Sequence, residues 1–250
     1  MTVGILCAIP QERRHLSETM VDVRRHELGA LTFEAGLLDQ VPVVLVEAGI
    51  GKVNTATVAS LLAVRFDADP ILFTGVAGGL DPSLAIGDLV IGHRTVQHDA
   101  GVISTEGFSV YQAGHVPFFN PTDRLGYESS SALVEKARNL LAGLALPPLE
   151  TEAGGSGAAP QIRFGTIVSG DQFINSEQKR EVLHTQFEAA AVEMEGGALG
   201  QVGETLGFDW LDIRALSDLA GAQSHFDFGA FVDAVADSSA TVVRRLVQGL

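Results

Sequence analysis

Residues 43–79 read VVLVEAGIGKVNTATVASLLAVRFDADPILFTGVAGG, and this stretch decides the fold class. Val43 to Glu47 is a continuous apolar run closed by an acid, as expected of a strand covered on both faces. Ala48-Gly49-Ile50-Gly51 is a turn signal, and a helix is expected from about Lys52, with Val53, Thr57, Leu61 and Val64 along one face. Asp69-Pro70 breaks that helix, and Ile71 to Thr74 opens a second buried strand that ends in Gly75-Val76-Ala77-Gly78-Gly79. Strand, helix and strand in that order are the unit from which α/β proteins are built.

The alternation continues on either side. Val3 to Ala8 is a strand, and Pro10 suits the first turn of a helix running through Glu12 and Leu16. Asp88–Gly92, Phe164–Ser169, Ala190–Met194 and Trp210–Leu216 read as further strands. Ser130–Leu144, Ser176–Gln186, Glu195–Leu206 and Phe231–Leu250 read as helices, the last with Val235, Val242, Val243 and Leu246 at helical spacing. Residues 100–125 are aromatic, proline-containing and irregular, and read as a long loop. Residues 146–161 (LPPLETEAGGSGAAPQ) read as a flexible excursion. Because the alternation resumes unchanged after that excursion, residues 1–250 are expected to form one α/β domain with helices on both faces of a central sheet.

Composition removes several functions. The 250 residues carry 31 acidic and 16 basic side chains, a formal net charge of −15, which argues against phosphate-backbone binding and against anionic membrane surfaces. One cysteine, Cys7, excludes an internal disulfide framework, and it reads as a small core residue rather than a nucleophile. The histidines His15, His26, His93, His98, His115, His184 and His225 include no HExxH or similar ligand spacing. The N-terminus MTVGILCAIPQERR has no signal-peptide pattern, and no apolar run nears the ~20 residues of a membrane span. The expectation is a cytoplasmic protein without metal, cofactor, nucleic-acid or membrane partner.

Ligands of α/β sheets bind beyond the carboxyl ends of the strands, so the residues that follow each strand are the candidates. Glu12, Ile50, the glycine cluster, Phe173 and Ile174, Glu193-Met194-Glu195, and Arg214 with Ser217 and Asp218 all gather at that end. Each has a plainer reading. GVAGG fits neither common phosphate-binding pattern and, alone, is a tight turn. Glu193 and Glu195 either face one cleft, as alternate strand positions do, or mark a strand end with Glu195 favourably placed at a helix start. Ser217 and Asp218 read as helix caps, and Glu12 as a solvated first-turn glutamate. As an acid, Asp218 would be raised by Leu216 and Leu219 and lowered by Arg214. His225 reads as a surface or loop residue.

Taken together, AIPQE (8–12), AGIGKVN (48–54), FTGVAGGLDPSLAIGDLVI (73–91), SGDQFI (169–174), AVEMEGGA (191–198) and RALSDLAG (214–221) resemble the 5′-methylthioadenosine/S-adenosylhomocysteine nucleosidases of the nucleoside phosphorylase superfamily. The motifs span nearly the whole chain in order. The resemblance implies a three-layer α/β/α fold with a mixed sheet, a homodimer, and cleavage of the N-glycosidic bond of an adenine nucleoside bearing a 5′-thio group. It assigns Asp218 as the acid that protonates adenine N7, Glu12 as the base for the attacking water, and Glu195 as the carboxylate on the ribose hydroxyls. Arg214 would position the water and Ser217 would support Asp218. Phe173 would stack on adenine and the Ile174 backbone would read its edge. Ile50, Met194, Phe228, Val76, Gly78 and Glu193 would complete the pocket. Val76 departs from a serine common in the family, and Pro10 from a common acid. The competing readings are a phosphate-using purine nucleoside phosphorylase, a futalosine-type hydrolase, and a non-catalytic nucleoside-binding protein. The absence of a GDPxR-type segment, with Arg13 and Arg14 expected to face solvent, favours the hydrolase.

Overall fold

Unbroken apolar sequence in the first strand has a direct structural cause. In the computed structural model, which describes residues 1–149 and 157–250 without the side chains at 226, 227 and 230, strand β1 (Thr2–Cys7) is buried on both faces. Val3, Ile5 and Cys7 enter one apolar cluster, while Leu6 enters another on the opposite side of the sheet. Helix α1 (Pro10–Ser17) follows, with Pro10 in the first turn where a missing N–H costs nothing. Strands β2 (Val21–Leu28), β3 (Leu31–Leu38) and β4 (Val41–Glu47) form an antiparallel meander. Helix α2 (Lys52–Phe66) then leads to the long strand β5 (Ala68–Gly79).

The remaining elements are β6 (Leu89–Gln97), the hairpin β7 (Gly101–Ser104) and β8 (Gly107–Val110), β9 (Tyr127–Glu128), α3 (Ser131–Leu141), β10 (Ile162–Ser169), α4 (Glu177–Phe187), β11 (Ala189–Glu193), α5 (Gly196–Leu206), β12 (Trp210–Asp218) and α6 (Ser224–Val247). The sheet is mixed, in the order β11-β10-β6-β12-β5-β1-β4-β3-β2. Its end curls back: β11 also pairs antiparallel with the tip of β5, through Ala191 opposite Gly79 and Val192 opposite Gly78. Five strands thereby close into a ring, and the open half of the sheet extends from β5. Helices α1, α3 and α6 cover one face, and α2 and α5 the other. Among the described residues no helix is long and apolar enough to cross a membrane.

Several expectations are corrected here. The glycine cluster is strand rather than turn: Gly75 to Gly79 pair with β12 and β11, and at Gly79 an added Cβ would lie 2.9 Å from Leu216 Cδ1. Helix α2 ends before Asp69-Pro70, because Asp67 takes a left-handed conformation (φ 52°). Its buried residues are Thr55, Val58, Ala59 and Leu62, whereas Val53 and Val64 are 77% and 76% exposed. The inward face is thus not the one expected. Residues 100–125 contain a hairpin followed by a loop tied internally, with Tyr111 Oη donating to the Thr122 carbonyl (2.9 Å) and Asn120 Oδ1 accepting from the Val116 N–H (2.8 Å). Of the excursion at 146–161, residues 150–156 lie outside the described residues, and the flanking Leu146 and Leu149 are buried against the core.

Candidate active site

The curl of the sheet brings the ends of β1, β5, β11 and β12 around one cleft of about 370 Å³. Glu12 reaches it from the first turn of α1 and is buried. Its Oε2 accepts the N–H groups of Ala8 (2.7 Å) and Ile9 (3.2 Å), and its Oε1 accepts that of Val76 (3.1 Å). Burial raises its pKa, opposed by Arg214 and by those three amides. The glutamate read as solvated from PQERR alone is instead a buried carboxylate, caged by three amides in the cleft wall.

Arg214 on β12 is the centre of the charge network. Its guanidinium is 1% exposed and lies 4.3 Å over the Phe73 ring. Nε donates to Asp212 (2.6 Å), Nη2 to Glu193 (2.6 Å), and Nη1 to Glu195 and the Val76 carbonyl (3.3 Å each). Burial works against its charge, but Asp212, Glu193, Glu195 and Glu12 hold the arginine above its ordinary pKa. With one guanidinium among four carboxylates, like charges confront one another. Burial pushes Glu195 up to about 7, against Arg214 and with help from Glu193, and pushes Asp212 up to about 8.

Glu193 and Glu195 both line the cleft, yet they have different work. Glu193 Oε2 accepts the N–H groups of Glu195 (2.7 Å) and Gly196 (2.8 Å) at the start of α5, and its Oε1 accepts from the Ser169 hydroxyl. Glu195 makes no cap of its own; its Oε1 accepts the Gly51 N–H at 2.7 Å. Ser217 and Asp218 end β12, and the N-cap residue of α6 is Gln223. Asp218 Oδ1 accepts the Ala220 N–H (2.8 Å) and Oδ2 accepts from the Ser217 hydroxyl (3.0 Å).

Phe173 is half-exposed at the cleft mouth and meets Phe228 edge-on, ring centroids 6.2 Å apart. Ile50 and Met194 also line the cleft, as do Val76 and Gly78 beneath it. Gly78 is required by close approach, since an added Cβ would stand 2.9 Å from Asp218 Oδ1. Ile174 lines a small annex of about 40 Å³ beside Gly78 and Asp218 rather than the main cleft. Cys7 is buried, donates to the Val46 carbonyl at 3.5 Å, and is raised in pKa by that burial and by Glu12. His225 is exposed in the first turn of α6. Sequence reasoning missed Asp212 and Ser169. Asp212 carried a usable signal: a lone acid inside an apolar strand, two residues from Arg214 and so on the same side.

Fold and cleft together define a member of the phosphorylase superfamily, and the family model of that description matches residues 2–248. The chain is 51% identical over 247 residues to the 5′-methylthioadenosine/S-adenosylhomocysteine nucleosidase of Mycobacterium tuberculosis, covering 99% of this chain and 97% of that one. A crystal structure of the Neisseria meningitidis 5′-methylthioadenosine/S-adenosylhomocysteine nucleosidase in complex with methylthio-immucillin-A superposes with a TM-score of 0.83 at 33% identity, covering 100% and 99% of the two chains. The futalosine hydrolase of Helicobacter pylori gives the same TM-score at 28% identity, with 100% and 98% covered. At this identity and coverage the chain belongs to the 5′-methylthioadenosine/S-adenosylhomocysteine nucleosidase family.

Proposed function

We propose that this chain hydrolyses the N-glycosidic bond of 5′-methylthioadenosine and/or S-adenosylhomocysteine, releasing adenine and a 5-thioribose product. The observation that carries the reading is the convergence of Glu12, Glu195 and Asp218 on one cleft. Adenine anion leaves poorly, so Asp218 in its protonated form gives its proton to N7 as the C1′–N9 pair moves to the base; a positioned acid contributes about 10²–10⁴-fold. The sugar becomes oxocarbenium-like, and Glu195 on the ribose hydroxyls opposes the growing positive charge. Glu12 takes a proton from water as its oxygen bonds to C1′. The Val76 backbone, held between Glu12 and Arg214, sets the height of the base. Phe173 supplies the stacking face and the annex beside Ile174 receives the edge of the base. Ser217 steadies Asp218, while Ile50, Met194 and Phe228 enclose the sugar and its thio substituent.

Water rather than phosphate is the nucleophile in this reading, because the cations near the cleft are already committed. Arg13 pairs with Glu34 (2.8 Å) and Glu47 (3.4 Å), Arg14 with Asp233 (2.5 Å), and Arg214 with its three carboxylates. An incoming oxyanion would meet carboxylates. The working unit is the whole of residues 1–250 in the cytoplasm, as a homodimer. Exposed Val53 and Val64 on α2, with Ile103 (84%), Phe118 (85%) and Phe119 (82%), supply the apolar area a second copy would cover. The deciding experiment follows free adenine from methylthioadenosine with and without phosphate. Equal release in both supports hydrolysis; strict phosphate dependence overturns it, and no adenine in either removes the substrate assignment.

A further inference from the structure

Loops that follow β4, β6 and β10 meet at one rim of the cleft, and a single ammonium group joins them. Lys52 opens α2, and its Nζ lies 2.6 Å from Asp99 Oδ1 and 3.9 Å from Asp171 Oδ2. Its backbone N–H donates to Asp171 Oδ1 at 3.0 Å, and the Asp171 N–H donates to Asp99 Oδ2 at 2.9 Å. A lysine at the first position of a helix opposes the helix dipole, so its placement needs a compensating reason. The side chains of Lys52 and Asp99 keep only 19% and 14% of their exposure, which sets this pair apart from a solvated surface bridge. Asp99 is held below the usual carboxylate range: burial raises it, but the Lys52 and Asp171 hydrogen bonds prevail. His98 is the other titratable group acting on Asp99, and Lys179 and Glu193 act on His98 in turn.

None of Lys52, Asp99 and Asp171 lines the cleft, yet Lys52 lies two residues after Ile50 and Asp171 two residues before Phe173, and both of those do. Gly51, one residue before Lys52, donates to Glu195 Oε1, and Ile50 precedes it. Phe173 comes two residues after Asp171. The two loops touch so closely that a Cβ on Gly51 would stand 3.0 Å from Asp171 Oδ1, at a φ of +100° that already favours glycine. We propose that Lys52 is a positioning residue that, through Asp99 and Asp171, holds the base-side loop 170–174 in register with the Gly51–Glu195 contact. Base recognition and the orientation of the ribose carboxylate are then one mechanical unit. The kinetic part of this proposal rests on the nucleosidase reading; the structural part does not.

The test uses the full chain with Lys52→Met, Lys52→Arg, Asp171→Ala and the Lys52→Met/Asp171→Ala double variant. Small displacements of reacting groups cost about 10²-fold, so Lys52→Met should lower kcat/KM for methylthioadenosine by about 30–100-fold, split between a higher KM and a lower kcat. Lys52→Arg should restore most of it. The double variant should be no worse than the poorer single one, since both break the same unit. Without any substrate, hydrogen exchange at the Asp171 amide should quicken in Lys52→Met while the core strands stay protected. Unchanged kinetics in folded Lys52→Met, single effects that multiply, or unchanged Asp171 exchange would each overturn the proposal. If the unaltered chain releases no adenine, the nucleosidase reading falls, and the exchange measurement still decides the latch.

Discussion

Glu12→Gln is the substitution whose consequences follow most directly from the geometry. The carboxylate accepts three N–H groups, two on Oε2 and one on Oε1. A glutamine has one oxygen, which best serves Ala8 and Ile9, and its amide NH₂ then faces the Val76 N–H. One buried donor loses its acceptor, at about 1–3 kcal/mol. For a chain of this size 1 kcal/mol corresponds to about 2–4 °C, so Tm should fall by about 2–12 °C with the fold retained. Turnover should fall further, by about 10²–10⁴-fold, the contribution of a positioned base. That range equals about 2.7–5.5 kcal/mol of transition-state stabilisation. Adenine affinity, measured by calorimetry, should stay within about threefold, because no base contact is removed. Glu12 must be ionised to accept a proton and burial raises its pKa, so kcat/KM should decline on the acid side above the ordinary glutamate range. The variant should lose that decline. Turnover within about fivefold of the unaltered chain, or an unchanged acid limb, would remove Glu12 from the role of base.

Asp218→Asn should cost adenine release about 10²–10⁴-fold with little change in Tm; its oxygen keeps the Ala220 N–H and its amide donates to Ser217 Oγ, and a near-normal rate would refute the acid assignment. Arg214→Lys should be strongly destabilising, because one ammonium cannot reach Asp212, Glu193 and Glu195 together; breaking such a buried network costs about 3–5 kcal/mol, or about 6–20 °C read by thermal unfolding. Folding stability should fall as pH rises from about 5 to 9: Glu195 at about 7 and Asp212 at about 8 bind protons more tightly folded than unfolded, so their contribution is complete in acid and is lost as pH passes those values. A Tm that is flat or rising over that range would contradict the buried-carboxylate account.

What was legible in the sequence depended on burial. Strands covered on both faces announced themselves as apolar runs, and β1, β4, β10, β11 and β12 are found where those runs lie. Strand β2 left no such mark: VDVRRHEL is exposed along nearly its whole length and is a strand only because it pairs with β3. Helix α2 has two apolar stripes, and periodicity cannot say which one faces a sheet and which faces outward. The β5 glycines look like a turn locally; they are strand because β12 pairs with Gly75 to Gly78 and β11 returns to pair with Gly78 and Gly79, contacts more than a hundred residues distant in sequence. Among the site residues, Glu12 and Asp218 each have an ordinary reading as helix-end residues. Only the joint pattern of motifs singled them out, since the sheet curl that buries them is a property of the whole chain.

The pair at 193 and 195 shows how the fold divides work between similar groups. Local sequence offers Glu195 as the residue that serves the α5 N-terminus, but the amides there are taken by Glu193, which Ser169 and Arg214 also hold. Glu195 is thereby left with one strong partner, the Gly51 N–H, and a longer contact to Arg214. A carboxylate that already satisfied two helix amides could not also turn toward ribose hydroxyls. Asp212 completes the division from below: it takes the Arg214 Nε, is fully buried, and among the described residues its Oδ2 has no hydrogen-bond partner. An ionised oxygen left so would carry a large desolvation cost, so a raised pKa on Asp212 is the expected response of a cluster with more carboxylates than guanidinium groups. The excess acid in this cleft is therefore graded: Glu193 is locked by its amides, Ser169 and Arg214, burial raises Asp212 to about 8 and Glu195 to about 7, and in the proposed reaction it is Glu195 that meets the charge developing on the sugar.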